Sequence, residues 1–181
     1  MKNEYRVDGD RVIILLKRKD GSTAETIIDK SDFEIVSKFP NTWFAAKDHG
    51  RGVFYVTGNT TNCSGKETSI RLHRVILNPP PCMVIDHING NPLDNTRANM
   101  RVITSAQNSQ NQKGAMKNNL SCGLRGVTTA IRGGKTYWRA SVQVNGKKKI
   151  LYTGKDLSLA FEKARKAREV LMPYSQEALG R

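Results

Sequence analysis

The sequence predicts an α+β protein in two parts, and three observations lead to this prediction. β-Branched runs separated by short turns fill the first 60 residues, as in a β-rich module. Residues 83–112 follow the order strand, turn, strand, helix. After residue 123, three alternating segments and one amphipathic segment predict a three-stranded antiparallel sheet backed by one helix.

The N-terminal module is expected mainly to build a core. Residues 11–17 and 22–29 predict a hairpin. Residues 31–38 predict a short helix with Ser31 and Glu34 as a capping pair. The aromatic residues expected to fill this core are Trp43, Phe44, Phe54 and Tyr55.

The chain has 181 residues and a formal net charge of +14, which is unevenly distributed. Residues 1–112 hold 15 basic and 12 acidic residues, whereas residues 113–181 hold 15 basic and 4 acidic ones. A basic excess concentrated in one third of a chain is typical of proteins that bind a polyanion such as a nucleic acid. A membrane surface is the competing partner, but no basic amphipathic helix with bulky apolar anchors supports it.

The cysteines Cys63, Cys82 and Cys122 are odd in number and widely spaced. This pattern argues against a disulfide framework and against a structural zinc site, and it suits a reducing compartment. Met1 leads into charged sequence, so no signal peptide is predicted, and no apolar run is long enough to cross a bilayer. We therefore expect an intracellular, cytoplasmic protein with no membrane partner.

Residues 83–112 carry the clearest chemistry. A short apolar run leads into Asp86 and His87 and then into a polar turn. Residues 100–103 predict a second strand, and Thr104 begins a capping pattern that predicts the start of a polar helix. The unit therefore carries ligands suited to a hard metal ion at both of its ends.

This segment resembles the ββα-metal fold of HNH nucleases, in the branch where asparagine replaces the last histidine. His87 matches the first histidine, Asn99 the middle asparagine and Asn108 the closing metal ligand, at spacings of 12 and 21 residues from His87. The resemblance covers residues 70–112. It implies an endonuclease that hydrolyses phosphodiester bonds with the help of a divalent metal ion.

The resemblance implies that His87 is the general base and that Asn99 braces the loop and fixes His87, so both are expected catalytic residues. An unperturbed imidazole has a pKa near ~6.5, so neutral His87 can accept a proton from water at physiological pH. Asp86 and Asn108 would be the metal ligands. Their oxygen atoms suit Mg²⁺, and Mn²⁺ is expected to substitute for it.

Two residues that precede the motif, His73 and Arg74, are candidate neighbours of the active site. His73 has two interpretations: a structural histidine whose ring bonds a backbone group, or a histidine beside the scissile phosphate. Arg97 and Arg101 are candidates for phosphate contacts, although structural roles are equally expected.

The second predicted domain spans residues 123–181 and follows a linker at residues 113–122, while residues 1–112 form the first. Asn145-Gly146 is the strongest short hairpin signal in the sequence, typical of a type I′ turn. Residues 157–171 predict a helix. The apolar side of this helix comprises Leu159, Ala160, Ala164, Ala167, Val170 and Leu171.

This domain resembles the AP2/ERF DNA-binding domain over about residues 122–172, through residues 125–127, residues 138–140 and the alanine-rich helix. In that family the sheet lies in the major groove, where strand residues contact base edges and phosphates. Thr128 and Ala130 replace arginines typical of plant members, so base specificity is not inherited. The expected DNA-binding positions are Arg125, Thr128, Ala130, Arg132, Lys135, Arg139, Ser141, Gln143, Lys147 and Lys149.

Together the two resemblances imply a homing endonuclease of phages and bacteria, acting in the cytoplasm of a bacterial cell or a phage-infected host. Its partner would be double-stranded DNA, bound by a monomer or a homodimer, and Lys113 and Lys117 would allow the linker to follow the minor groove. The competing hypothesis is a non-cleaving DNA-binding regulator with an idle nuclease fold, against which the intact motif counts. An RNA-directed or toxin-type nuclease is disfavoured by the dedicated duplex-binding domain.

Overall fold

The computed structural model describes residues 1–18, 20–50, 52–112, 114–115, 119 and 121–180. It divides the chain into two compact units, Met1–Thr104 and Ser105–Arg181. The architecture is mixed α+β and rich in strands, as predicted. None of the helices in these described residues combines the length and the apolar character that a membrane span requires. Lys113 and Lys117, expected to follow the minor groove, lie outside the described residues.

The first unit is built mainly from strands. These are β1 (Tyr5–Asp8), β2 (Arg11–Lys17), β3 (Thr23–Asp29), β4 (Trp43–Asp48), β5 (Val53–Thr61), β6 (Glu67–Arg71), β7 (Val84–His87), β8 (Asp94–Asn95) and β9 (Met100–Ile103). Its helices are α1 (Phe33–Ser37) and α2 (Leu72–Leu77), and 3₁₀ turns occupy Lys30–Asp32 and Arg97–Asn99.

Seven of the described strands form one sheet in the order β6-β5-β4-β2-β3-β8, with β1 also paired to β2. The predicted hairpin is present, because β2 and β3 pair antiparallel from Arg11 opposite Asp29 to Lys17 opposite Thr23. The edge strand β8 is only two residues long and pairs parallel to β3. This short pairing attaches the loop between β7 and β9 to the large sheet.

Apolar side chains of the large sheet and of both helices form the core of the first unit. Trp43 is fully buried and stacks on Phe39, and Phe54 packs against the same core, as expected for these aromatic residues. The predicted Ser31–Glu34 capping pair does not form. The α-helix begins at Phe33 after a 3₁₀ turn, and its N-cap, Asp32, makes no side-chain capping bond.

Strands β7 and β9 form a separate antiparallel pair, at the positions that the sequence predicts. Their register places Asp86 opposite Arg101 and His87 opposite Met100. The intervening loop contains β8 and the 3₁₀ turn Arg97–Asn99. Because β8 pairs with β3, the loop between β7 and β9 is anchored to the large sheet at Asp94 and Asn95.

The second unit begins with the short helix α3 (Ser105–Asn108), directly after Thr104, and a 3₁₀ turn at Ser109–Asn111. Its sheet comprises β10 (Val127–Arg132), β11 (Lys135–Val144) and β12 (Lys147–Gly154), in that order and antiparallel. Helix α4 spans Leu157–Leu171, the limits that the sequence predicts. Asn145 and Gly146 have φ values of 50° and 77°, as the predicted type I′ turn requires.

Helix α4 buries a different face at its C-terminal end from the one predicted. Ala160 and Ala164 are buried as expected, but Val170 is 78% exposed and Leu171 is also exposed. Arg168, four residues after Ala164, is buried in their place. Its guanidinium donates to Glu177 at 2.6 Å and to the carbonyl of Arg125 at 2.7 Å. A paired and hydrogen-bonded arginine can occupy such a position because both its charge and its donors are satisfied.

Asn119, near the end of the predicted linker, makes hydrogen bonds with residues at the start of the second predicted domain. The amide of Asn119 donates to the carbonyls of Leu124 and Val127, at 2.9 and 2.8 Å. Gly126 has a φ of +80°, and an added Cβ would lie 3.0 Å from the carbonyl oxygen of Ser141. Only glycine fits this close approach of the chain at the start of β10 without strain.

Candidate functional site

Strand β7 ends with Asp86 and His87, and both side chains are buried, at 7% and 5% exposure. A strand normally sends successive side chains to opposite faces, so the two groups point away from each other along β7. The carboxylate of Asp86 accepts hydrogen bonds from the Nε and Nη2 atoms of Arg101, at 2.9 and 2.7 Å. Arg101, a candidate phosphate contact, therefore pairs with the predicted metal ligand.

The pKa of the His87 imidazole lies below its usual value, chiefly because burial disfavours the charged form. The hydrogen bond with Asn95 and the carboxylates of Asp86 and Asp94 act in the opposite direction. His87 is consequently neutral at pH 7 and able to accept a proton. Its Nε2 atom lies 3.3 Å from the side-chain oxygen of Asn95.

Asn99 spans the loop that follows His87. Its side-chain oxygen accepts from the backbone N–H of Asn89 at 2.9 Å, and its amide donates to the carbonyl of Asp94 at 2.8 Å. Its own carbonyl accepts from the backbone N–H of Ile88 at 2.8 Å. These three bonds connect Asn99 to both halves of the loop, which is the geometry expected of a bracing residue. Its part in catalysis stays a prediction.

The rings of His73 and Tyr55 lie beside that of His87. The ring of His73 lies 5.2 Å from that of His87 between centroids, and Tyr55 lies 5.8 Å from His73 and 6.2 Å from His87. The pKa of His73 is lowered to about 3, chiefly by burial, with smaller contributions from the charged form of His87 and from the positive charges of Arg71 and Arg74. The structure thus brings the two predicted histidines together and keeps His73 neutral.

Two arginines lie close to this aromatic cluster. Arg74, a predicted neighbour, is an exposed residue of α2, and its charge acts on His73. Arg71 was not predicted, yet its guanidinium stacks on the ring of Tyr55 at 4.2 Å from the centroid and acts on both histidines. Its position in sequence, two residues before His73, was the only signal that could have indicated this role.

Arg97, the other candidate phosphate contact, is engaged elsewhere in the first unit. Its Nε and Nη2 atoms donate to the buried carboxylate of Asp32, at distances of 2.7 to 3.1 Å. Its backbone N–H donates to Asp29 at 2.7 Å. Arg97 therefore connects the loop before β9 to the turn after β3, which is a structural role.

Asn108, the second predicted metal ligand, is the last residue of α3 in the second unit. Among the described residues, no group of three or more His, Cys, Asp or Glu side chains forms a metal site. The predicted ligands are the carboxylate of Asp86 and the side-chain amide of Asn108, and an amide does not count towards a group of that kind. Both offer oxygen atoms, and a carboxylate that already pairs with an arginine retains lone pairs for a cation. The donor set therefore fits a hard ion such as Mg²⁺ better than zinc.

The sheet of the second unit buries one face against α4 and leaves the other open. Trp138 packs against the buried core, as its parity with Ala140 predicts. Opposite residues of paired strands share a face, so the register defines the open face. That face, which we call the open sheet face, carries Thr128, Ala130, Arg132, Lys135, Tyr137, Arg139, Ser141, Gln143, Lys148, Ile150 and Thr153.

The register corrects the prediction for the lysine hairpin. The two-residue turn places Lys147 opposite Val144, and Lys149 lies opposite the buried Val142. Lys147 and Lys149 therefore lie on the side of the sheet that packs against α4. Lys148 lies opposite Gln143 on the open sheet face. Counting pairs outward from the predicted turn would have revealed this from the sequence.

Two further predicted DNA-binding positions are occupied differently from expectation. Ala130 is buried, although its register places it on the open sheet face beside Tyr137. Arg125 is only 15% exposed in its side chain, and its guanidinium donates to the carbonyls of Gln112 and Gln110 at 2.6 and 2.9 Å. Burial is also the main reason why the pKa of Arg125 is lowered. Its donors therefore serve the fold of the second unit.

The guanidinium of Arg139, on the open sheet face, has a buried donor that the described residues leave unsatisfied. Its Nε atom is buried and has no hydrogen-bond acceptor among the described residues. A buried donor without an acceptor is costly, so native proteins generally supply one from the chain, from water or from a ligand. Arg132, Lys135 and Lys148 on the same face are exposed.

A family model described as HNH endonuclease matches residues 78–110 of the chain. The match includes Asp86, His87, Asn99 and Asn108, and it supports a nuclease in this segment. No curated protein and no solved structure matches the chain.

Proposed function

We propose that this chain is a metal-dependent DNA endonuclease of the homing type, with a ββα-metal active site and an AP2-like DNA-binding domain. The observation that carries the proposal is the buried imidazole of His87, whose pKa is lowered and which directly follows Asp86 in the segment that matches HNH endonucleases. A neutral, positioned imidazole is what activation of water at neutral pH requires.

In the proposed reaction His87 accepts a proton from water, and the resulting hydroxide attacks the phosphorus of a DNA phosphodiester. The products carry a 5′-phosphate and a 3′-hydroxyl. Asp86 and Asn108 would hold Mg²⁺, with Mn²⁺ able to replace it, and the bound ion would offset the negative charge that develops on the phosphate. Asn99 holds the loop that orients His87.

The open sheet face supports the proposed binding of duplex DNA. Its four cationic side chains, Arg132, Lys135, Arg139 and Lys148, lie in the part of the chain that carries most of the net positive charge. Thr128, Ser141 and Gln143 add hydrogen-bonding groups for base edges or phosphates. We propose that this face supplies the affinity and the register for the cleavage site.

The nuclease is tested by nicking of a supercoiled plasmid that carries the DNA flanking the gene, with Mg²⁺, with Mn²⁺ and with EDTA. We expect metal-dependent nicking by the wild type and a loss of at least about 100-fold in His87→Ala. His49 is exposed and provides the matched control. His49→Ala should nick at the wild-type rate, and equal rates in all three proteins would reject His87 as the base.

The same experiment distinguishes the competing regulator. Salt-sensitive binding to duplex DNA by both the wild type and His87→Ala, with no nicking by either in any metal, would favour a non-cleaving DNA-binding protein. Two-strand cleavage that depends on protein concentration would indicate a homodimer, whereas nicking alone would indicate a monomer.

The DNA-binding face is tested with adjacent lysines of one hairpin. Lys148 lies on the open sheet face and Lys149 on the other, so the two alanine variants have the same net charge but different expected effects. In fluorescence anisotropy with duplex DNA, Lys148→Ala should weaken binding and reduce the salt slope by about 1, as for a lost phosphate contact. Arg139→Ala should do the same. Equal weakening by Lys148→Ala and Lys149→Ala would contradict the assigned face.

A further inference from the structure

A buried chain of hydrogen bonds connects β3 of the large sheet to His87. Thr26 and Asn95 are both fully buried. The hydroxyl of Thr26 donates to the carbonyl of Leu93 at 2.7 Å, and the amide nitrogen of Asn95 donates to the Thr26 oxygen at 2.9 Å. The same nitrogen donates to the carbonyl of Pro92 at 3.2 Å, and the side-chain oxygen of Asn95 faces Nε2 of His87 at 3.3 Å.

The directions of these bonds follow from two fixed acceptors, the backbone carbonyls of Leu93 and Pro92. A backbone carbonyl can only accept, so the Thr26 hydroxyl must use its hydrogen on Leu93 and can only accept from Asn95. Rotating the Asn95 amide by half a turn would place its oxygen against the carbonyl oxygen of Pro92, where no hydrogen is present. The nitrogen of Asn95 therefore faces Thr26 and Pro92, and its oxygen faces His87.

An amide oxygen can only accept, so this geometry requires the hydrogen of neutral His87 to be on Nε2. A neutral imidazole has one N–H and one ring nitrogen with a lone pair. The lone pair that takes a proton is consequently on Nδ1. The chain of donors and acceptors that begins at Leu93 thus selects the reactive nitrogen of a histidine on another strand.

We propose that Asn95 is a positioning residue that holds neutral His87 as the Nε2–H tautomer, with Nδ1 as the proton acceptor, and that Thr26 sets the orientation of the Asn95 amide. The proposal rests on the proposed role of His87 as general base. In the step itself, water loses a proton to Nδ1, the hydroxide oxygen bonds to phosphorus, and the 3′ oxygen leaves and takes a proton from solvent.

Asn95 also acts on the product of this proton transfer. When Nδ1 has gained its proton, His87 is an imidazolium, and its Nε2–H bond to the Asn95 oxygen becomes charge-assisted. Such bonds are about twice as strong as neutral ones. Asn95 therefore favours the charged state that forms in the reaction, and its removal should lower kcat while leaving the KM for DNA unchanged.

The tautomer is measured by nitrogen NMR of the histidine rings in the full chain, free of metal and DNA. The His87 resonances are assigned by their loss in His87→Ala. We expect a protonated Nε2 and an unprotonated Nδ1 in the wild type. In Asn95→Leu we expect this preference to be lost and kcat for nicking to fall about 10- to 100-fold, the usual cost of losing such a supporting partner.

Thr26→Val makes the test independent of the direct Asn95–His87 contact, because Thr26 accepts the hydrogen bond that orients the Asn95 amide. It should shift the tautomer and kcat in the same direction as Asn95→Leu, to a smaller extent. Thr57→Val is the matched control, since Thr57 is a buried threonine of the same sheet whose hydroxyl donates to the carbonyl of Tyr55 within β5, at 3.4 Å. It should leave the tautomer and kcat unchanged.

An Nδ1–H tautomer in the wild type would overturn the proposal. Equal effects of Thr26→Val and Thr57→Val on kcat, with no change of tautomer, would also overturn it, because they would show only a structural contribution of the buried threonine. The proposed function fails differently. An Nε2–H tautomer in a wild-type protein that does not nick DNA would leave the positioning by Asn95 intact and reject the nuclease.

Discussion

His73 should make the first unit sensitive to acid. Burial, together with neighbouring positive charges, lowers the pKa of His73 to about 3, whereas an unfolded histidine titrates near 6.5. Between these values the unfolded chain binds a proton that the folded chain excludes, so stability is lost as the pH falls from about 6.5 towards 3. Each pKa unit corresponds to about 1.4 kcal/mol, and a change from pH 7.5 to 4.5 should therefore cost about 2 to 3 kcal/mol through His73.

The measurement is urea unfolding followed by the fluorescence of Trp43, which is fully buried in the first unit. A Trp138→Phe background removes the signal of the second unit. Carboxylates also titrate in this range, so the informative quantity is the difference between two proteins. We expect the wild type to lose about 2 to 3 kcal/mol more than His73→Gln between pH 7.5 and 4.5.

His49→Gln serves as the control for this pH effect. His49 is exposed, so its replacement should leave the pH dependence of the wild type unchanged. If His73→Gln lost as much stability on acidification as the wild type, His73 would have to be protonated in the folded protein, and the burial argument would be wrong. His87 also has a lowered pKa and contributes in the same direction, but it is present in all of these proteins.

Two further predictions concern stability. Arg101→Met should cost about 3 kcal/mol in urea unfolding, because it removes the guanidinium that pairs with the buried Asp86 carboxylate at 2.7 Å, and adding Asp86→Asn should restore most of the loss. A cost below about 1 kcal/mol would mean that the pair behaves as an exposed one. Gly126→Ala should lower the stability of the second unit by at least about 2 kcal/mol, because its φ is +80° and the new Cβ would meet the Ser141 carbonyl. Gly134→Ala, at a φ of +71° in open space, should cost about 1 kcal/mol in the same thermal unfolding assay, and equal losses would exclude the contact as the cause.

Local patterns in the sequence were sufficient for most of the elements. The Asn145-Gly146 pair adopts the positive φ angles that its hairpin turn needs, because few other residues tolerate them. Helix α4 has the predicted limits, and its N-cap Asp156 accepts from the backbone N–H of Leu159 at 2.9 Å. Strands β7 and β9 also lie where the apolar runs predict them. These features depend on residues within a few positions of one another.

Predictions of which side chains are buried were less accurate, because burial depends on what covers each element. Periodicity placed Val170 on the apolar side of α4, yet it is exposed, while Arg168 is buried through its contacts with Glu177 and the Arg125 carbonyl. Arg125, expected to contact DNA, makes hydrogen bonds with the backbone of its own unit. No local pattern indicates such partners.

The sequence by itself determined the mixed α+β class, the strand pair that carries Asp86 and His87, and the match of that segment to HNH endonucleases. Only the tertiary structure decided what surrounds His87. Thr26 lies 69 residues before Asn95, and the two meet because β8 pairs parallel to β3. The pairing of strands distant in the chain is set by the sheet as a whole. For this reason the atom of His87 that faces Asn95 is a property of the fold rather than of the motif.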